Sequence, residues 1–297
     1  MRITTWNLLH GQGAENLRAI ANALDVGNSD FAVGVQEVDA FQDRSDQVFQ
    51  VADLASELSA KYYGFVRCVI GTPGFKWRKV KSDEAILMAS SDSTNINSTN
   101  IAGEKVLNDD KPPSYGIGLI TNIPVKKWEV LALGKSVIGL PLLFPAGDAD
   151  SAGDADSANA ANSSPKPKLR FIYVKDEPRY AVAAQLENGF TVVNMHLSFV
   201  PFVNLFQLWR VKRWLAKMPG KHILLGDLNL PFDLPVKFSK WKSLISMASY
   251  PTWQPKIQFD YILSDNFVVG KSSKDLIKPI FLKSDISDHL PVTIEIS

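Results

Sequence analysis

The sequence predicts an α/β protein built on a pair of mixed, largely antiparallel sheets flanked by helices, and three observations carry that expectation. Apolar stretches of strand length outnumber helical stripes. Several follow one another across hairpin-sized gaps, as at Leu186-Glu187-Asn188-Gly189-Phe190. The few helical segments are amphipathic with a single apolar face, as helices laid against a sheet must be.

In chain order, residues 2–5 read as a strand that runs into a polar loop at Asn7. Residues 17–24 read as a helix, with Leu17, Ile20, Ala21 and Leu24 on one face. Residues 31–35 form a buried strand, and residues 48–58 are again helical because Val51, Leu54, Ala55 and Leu58 fall on one stripe. Strands follow over 116–121, 181–186, 190–194, 222–225, 259–263 and 292–296, with a helix over 205–216. One domain over residues 1–297 is expected. It is interrupted at 146–168, where only Ala, Asp, Ser, Gly, Asn, Pro and Lys occur and GDADSA repeats in tandem. That composition buries too little apolar area to offset ordering, so a disordered insertion is expected there. Its aspartates do not follow an EF-hand, which would need an oxygen ligand where Ala152 stands and a glutamate where Asn159 stands.

Of the 297 residues, 45% are hydrophobic and 21% charged, enough apolar content for a large core. Thirty-two basic against thirty-one acidic residues leave a charge of +1, so no whole-protein positive field points to nucleic acid. The single cysteine, Cys68, supports neither a disulfide nor a zinc or redox site and reads as a buried packing residue. The N-terminal MRITTWNLLHG lacks the pattern of a signal peptide, and no run reaches the ~18 uninterrupted apolar residues of a membrane span. A cytoplasmic monomer is expected.

The informative feature is a series of polar residues at the ends of apolar strands. Asn7 follows Ile-Thr-Thr-Trp, Glu37 follows Phe-Ala-Val-Gly-Val-Gln, and His196 follows Thr-Val-Val-Asn-Met. Asp227 and Asn229 follow His-Ile-Leu-Leu-Gly; Asp260 lies within Gln-Phe-Asp-Tyr-Ile-Leu; Asp288-His289 precedes Leu-Pro-Val-Thr-Ile. Each alone has a structural reading, such as an exposed acid at Glu37 or an Asx turn at 227–229. Together, strand ends on a rigid sheet can hold carboxylates, amides and imidazoles where chemistry needs them. Carboxylates with a side-chain amide suit a hard divalent cation, while a water-orienting Asp and phosphate-facing histidines suit phosphoester hydrolysis. His222 reads as structural, and His10 has no partner legible in the sequence.

TWNLLHG, QEVD, YGIGLITNIPV, EPRYAVAAQLE, NMHLS, LLGDLNLP, QFDYIL and SDHLPV, in that order, resemble the endonuclease/exonuclease/phosphatase superfamily over almost the whole chain. The resemblance implies a four-layer α/β sandwich of the DNase I-like kind and a Mg²⁺ or Mn²⁺ cofactor. It implies that Asn7 and Glu37 anchor the metal with Asp288 completing or flanking its shell. It further implies that Asp227 and Asn229 position the attacking water, that His289 and His196 face the phosphate, and that Asp260 orients His289. Arg179, in Glu-Pro-Arg-Tyr, matches an arginine aimed at the substrate phosphate, and Tyr115 is a weaker match of the same kind. The abasic-site branch is disfavoured, because Val38-Asp39 replaces its lysine-bearing continuation.

The expected activity is that of a phosphodiesterase or endonuclease, with a phosphatase or phospholipase on a small or lipid phosphoester as the alternative. A catalytically inactive binding module is the alternative of another class, weakened because Glu37 and Asp227 both stand. Lys76-Trp77-Arg78-Lys79-Val80-Lys81 and the basic residues Arg210, Lys212, Arg213 and Lys217 are candidates for nucleic-acid contact. The greasy segment 199–206 reads as packing rather than as a lipid-facing loop.

Overall fold

The computed structural model describes residues 1–9, 16–81, 84, 86–90, 111–145, 169–265 and 277–297, so the predicted insertion 146–168 and His10 lie outside the described residues. The first half of the chain forms β1 (Arg2–Asn7), α1 (Leu17–Leu24), β2 (Phe31–Ala40), α2 (Gln50–Glu57), β3 (Tyr62–Gly71), β4 (Trp77–Arg78), β5 (Leu87–Ala89) and β6 (Ser114–Thr121). It continues with β7 (Val125–Gly134), β8 (Leu140–Pro145), β9 (Leu169–Val174), β10 (Arg179–Leu186), β11 (Phe190–His196), α3 (Val203–Leu215) and β12 (Lys221–Asp227). The last elements are α4 (Leu234–Ser239), β13 (Lys242–Ser243), β14 (Asp260–Ser264), β15 (Ile277–Phe281) and β16 (Val292–Ile296).

One sheet runs β15-β16-β1-β2-β6-β3-β4 with β5 on β3, and the other runs β13-β14-β12-β11-β10-β7. Most pairings are antiparallel, as predicted. Each sheet has one parallel pair near its middle, β1 with β2 and β11 with β12. Ile3, Ile117, Val182, Val192 and Ile223 fill the space between the sheets. The stripe Leu17, Ile20 and Leu24 packs α1, with Val51 and Leu54 of α2, on the outside of the first sheet. Leu208, Val211 and Leu215 pack α3 outside the second. The layers are therefore α/β/β/α, the four-layer sandwich.

Buried polar bolts fix the sheets against each other. Gln36 Nε2 donates to Asn194 Oδ1 at 2.6 Å, and Asn194 Nδ2 donates to the carbonyls of Val35 and Gly118 at 3.0 and 2.7 Å. Gly34 permits this approach, since a Cβ there would lie 1.9 Å from Leu225 Cδ1. All four groups are inaccessible to water, so the bonds satisfy otherwise costly groups and set the relative position of the two parallel pairs. Those pairs end in Asn7 beside Gln36 and in His196 beside Asp227, which brings chemistry-bearing residues from both sheets to one edge of the sandwich.

Three local features refine the sequence reading. Glu37 does not follow a strand: β2 continues to Ala40, and Glu37 sits on a bulge within it at φ 56°, where the register against β6 shifts. A bulge turns one side chain out of the pleat without ending the strand. Gly226, at φ 145°, precedes Asp227 where a Cβ would meet Met195 O at 1.9 Å, so only glycine fits that step of β12. The segment 199–206 is only partly packed: Val200 is buried, but Phe202 and Phe206 stand exposed, against expectation. No described helix is long and apolar enough to cross a membrane.

Candidate active site

Asp227 Oδ2 is the centre of the strand-end cluster. It accepts a hydrogen bond from Asn7 Nδ2 at 3.1 Å and lies 3.6 Å from His196 Nε2 and 3.9 Å from His289 Nε2. The other oxygen, Oδ1, accepts the backbone N–H of Asn229 at 2.9 Å, the Asx turn of the GDLN segment. The amide of Asn7 also donates to Glu37 Oε1 at 3.1 Å, so one Asn side chain ties two carboxylates from different sheets. Asn7 Oδ1 accepts from Leu9 N at 3.0 Å and keeps a second lone pair.

The imidazoles differ in their partners. His289 Nδ1 lies 2.7 Å from Asp260 Oδ2, while Asp260 Oδ1 is buried with no hydrogen-bond partner among the described residues. The tautomer and ring orientation of His289 are thereby set, with Nε2 facing Asp227. His196 Nε2 accepts from Asn229 Nδ2 at 3.1 Å; that amide must be the donor because it also bonds Leu197 O at 3.1 Å. His196 therefore holds Asn229, a link the sequence does not disclose.

The Ser287-Asp288-His289 turn is clamped from three sides. Ser287 Oγ donates to Asn7 O at 2.7 Å, Trp6 Nε1 to His289 O at 2.8 Å, and the backbone N–H of Thr252 to Asp288 O at 2.8 Å. Burial raises Asp288, the charge of His289 opposes that, and the like charge of Glu37 adds to it, so the two carboxylates sense each other. Burial likewise pushes Asp227 up to about 7, against the stabilising charge of His289 and the bonds from Asn229 and Asn7. For His289, burial favours the neutral ring, but Asp260, Asp227 and Asp288 together outweigh it and carry the imidazole up to about 10.

Arg179 is buried rather than solvent-exposed. Its Nη1 is 3.2 Å from Glu177 Oε1 and its Nε 3.5 Å from Asp176 Oδ1, partners that stand just before it in the sequence. Tyr115 is buried too, and its hydroxyl is held well above the usual phenol range by burial and then by the charges of Glu37 and Glu177. Both residues thus border the Glu37 side of the cluster. Trp77 lies under Lys135, 5.5 Å from ring centre to Nζ, next to the β7 end that pairs with Arg179. The basic residues of α3 lie along that helix past its start beside Asn229. His222 bonds Asp265 at 2.7 Å and is structural, as expected.

A divalent cation fits this donor set. Glu37, Asp288 and the free lone pair of Asn7 are hard oxygen donors, and the mutual repulsion of Glu37 and Asp288 is what a cation would relieve. The tightest group of ligand-type side chains among the described residues is instead Asp227, Asp260 and His289. There His289 already forms an ion pair with Asp260, which makes a metal ion the weaker occupant.

The profile of the endonuclease/exonuclease/phosphatase family matches residues 4–289. An endonuclease/exonuclease/phosphatase family protein from Leptotrichia buccalis superposes with a TM-score of 0.54 at 15% identity, covering 100% of this chain and 99% of that one. A beta toxin from Staphylococcus aureus, a variant carrying bound magnesium ions, gives 0.52 at 12% identity with 100% and 99% covered. A mannosyl-6-phosphatase from Bacteroides thetaiotaomicron gives 0.50 at 13% identity with 100% and 99% covered. No curated protein matches the chain by sequence. The fold and the family profile are those of metal-dependent phosphoester hydrolases. The chain belongs to the endonuclease/exonuclease/phosphatase family.

Proposed function

We propose that the chain is a Mg²⁺- or Mn²⁺-dependent phosphodiesterase, and the single observation behind this is the Asp260–His289–Asp227 array set beside the Asn7–Glu37 pair. Glu37, Asn7 and Asp288 would hold the cation, which supplies charge neutralisation for the phosphoryl oxygens. Asp227, with a carboxyl near neutrality and Asn229 bonded to it, orients and deprotonates the attacking water. The 3.9 Å between His289 Nε2 and Asp227 Oδ2 leaves a reacting group within reach of both. His289, kept charged by Asp260, donates a hydrogen bond to a phosphoryl oxygen while the water oxygen bonds phosphorus and the opposite ester P–O bond breaks, the departing alkoxide taking a proton from solvent. His196 fixes Asn229, and Arg179, backed by Asp176 and Glu177, faces the substrate phosphate with Tyr115 beside it.

Glu37→Gln should lower Mg²⁺ affinity by about 10- to 100-fold, read by calorimetric titration and by loss of the thermal stabilisation that Mg²⁺ confers. Unchanged affinity would remove Glu37 from the metal site. Arg179→Lys, which keeps the charge but not the planar fork, should lower kcat/KM by about tenfold, mostly through KM. The pH profile should show an acid limb at or below about pH 7, moved down by metal, as Asp227 loses its proton. An alkaline limb near pH 10 should follow as His289 loses its charge. Asp260→Asn removes the negative partner that holds that charge, so the alkaline limb should move to lower pH. A limb that stays in place would separate Asp260 from His289.

A nucleic-acid diester draws support from Trp77 and Lys135 beside Arg179. Nicking of supercoiled plasmid in Mg²⁺ at low salt, with EDTA and Asp227→Asn as blanks, tests it. Metal-dependent nicking absent from the variant supports a nuclease, and no nicking moves the reading to small or lipid diesters.

A further inference from the structure

We infer that the face formed by the start of α3, the loop after Asn229 and α4 is a docking surface for an anionic phospholipid bilayer. Phe202 and Phe232 flank the catalytic edge: Phe202 caps α3 two residues before Asn204, whose Nδ2 donates to Asn229 O at 3.0 Å, and Phe232 lies three residues beyond Asn229. They are 81% and 75% exposed, and both hold left-handed backbone, at φ 67° and 60°. A bulky aromatic side chain in that region is strained, and the fold gains little burial from either ring in return. Eleven described non-glycine residues have positive φ, so it is the exposure of these two rings beside the site that points to a role outside the core.

The patch continues along α3. Phe206 and Trp209 are 57% and 49% exposed and stacked at 5.6 Å, and the Arg213 guanidinium lies 4.8 Å from the Trp209 ring centre. Phe202, Phe206, Trp209 and Arg213 follow one another at helical spacing on one face. Phe238 of α4, which packs against α3, is 57% exposed as well.

Charge selects the occupant. On this face Arg210, Lys212 and Arg213 of α3 and Lys237 of α4 stand against one acid, Asp233, whose charge Lys237 meets at 2.9 Å, in a chain whose net charge is +1. Aromatic bodies with basic residues among them match the interface of a bilayer, where rings lie at headgroup depth and cations meet anionic lipid. Base stacking fits less well, because Trp209 is already covered by Phe206 and Arg213. The inference does not depend on which phosphodiester the site cleaves.

The test is co-sedimentation of the full chain with vesicles of phosphatidylcholine carrying about a third phosphatidylglycerol, in EDTA so that no turnover enters the reading. The chain should partition onto these vesicles and several-fold less onto pure phosphatidylcholine. Phe202→Ser combined with Phe232→Ser should weaken partition at least about tenfold, since each ring leaves water on docking. Arg213→Glu should weaken it on the anionic vesicles alone. Both substitutions lie on exposed side chains, and an unchanged melting temperature confirms the fold. Absence of binding by the wild type, or equal binding by the Phe202/Phe232 variant, overturns the inference. Binding of oligothymidylate but not vesicles through the same phenylalanines overturns it in favour of nucleic acid.

Discussion

Replacing His289 by alanine is expected to lower kcat by at least about 10², with the fold retained. The side chain is where several interactions converge. Its Nδ1 bonds Asp260 at 2.7 Å, its Nε2 faces Asp227, and the surrounding carboxylates keep it charged. Alanine removes the proposed donor to the phosphoryl oxygen and leaves Asp260 buried without its cation. The backbone of residue 289 still accepts from Trp6 and donates to Ser287, so the turn itself should persist. Steady-state kinetics beside a thermal melt check this. A near-wild-type kcat in a folded variant would assign the phosphate contact elsewhere.

Asp227→Asn is expected to have an effect of the same size through a different step. Asparagine has the same shape and can still accept from Asn229 N, so the Asx turn and the strand end survive. It cannot take a proton from water, and whichever way its amide turns it loses the charge that His289 and Asn7 share. Turnover should therefore fall at least about 10² with KM changed far less, the pattern of an interaction made in the transition state. Because Asp227 is the group proposed to titrate near neutrality, the residual activity should also lose the acid limb of its pH profile. Retention of that limb would place the titrating base on another residue.

The residues that carry this chemistry were legible because strand ends are local. An apolar run followed by Asn, His or Gly-Asp marks a strand and its end, and the pairing of β11 with β12 then sets His196 opposite Asp227. Helix α1 spans the residues its stripe predicts. What the sequence hides is tertiary. Glu37 reads as a loop acid because nothing in Val-Gln-Glu-Val announces a bulge within β2. Strand β3 is passed over because Arg67 and a register shift at Cys68 break its apolar pattern, and β7 because Lys126, Lys127 and Glu129 crowd Trp128. The acids Asp176 and Glu177 stand beside Arg179 in the sequence, yet their embrace of the guanidinium needs the turn that buries all three. Phe202 and Phe206 look like core by composition, and only the packing of α3 on Leu208, Val211 and Leu215 sends them outward.

The most direct test of the central claim is hydrolysis of bis(4-nitrophenyl) phosphate by the full chain, with 4-nitrophenyl phosphate alongside. Cleavage of the diester in Mg²⁺ or Mn²⁺, abolished by EDTA and by Asp227→Asn and exceeding that of the monoester, is the predicted result. Diester cleavage that survives EDTA or Asp227→Asn, or cleavage of the monoester alone, would contradict it.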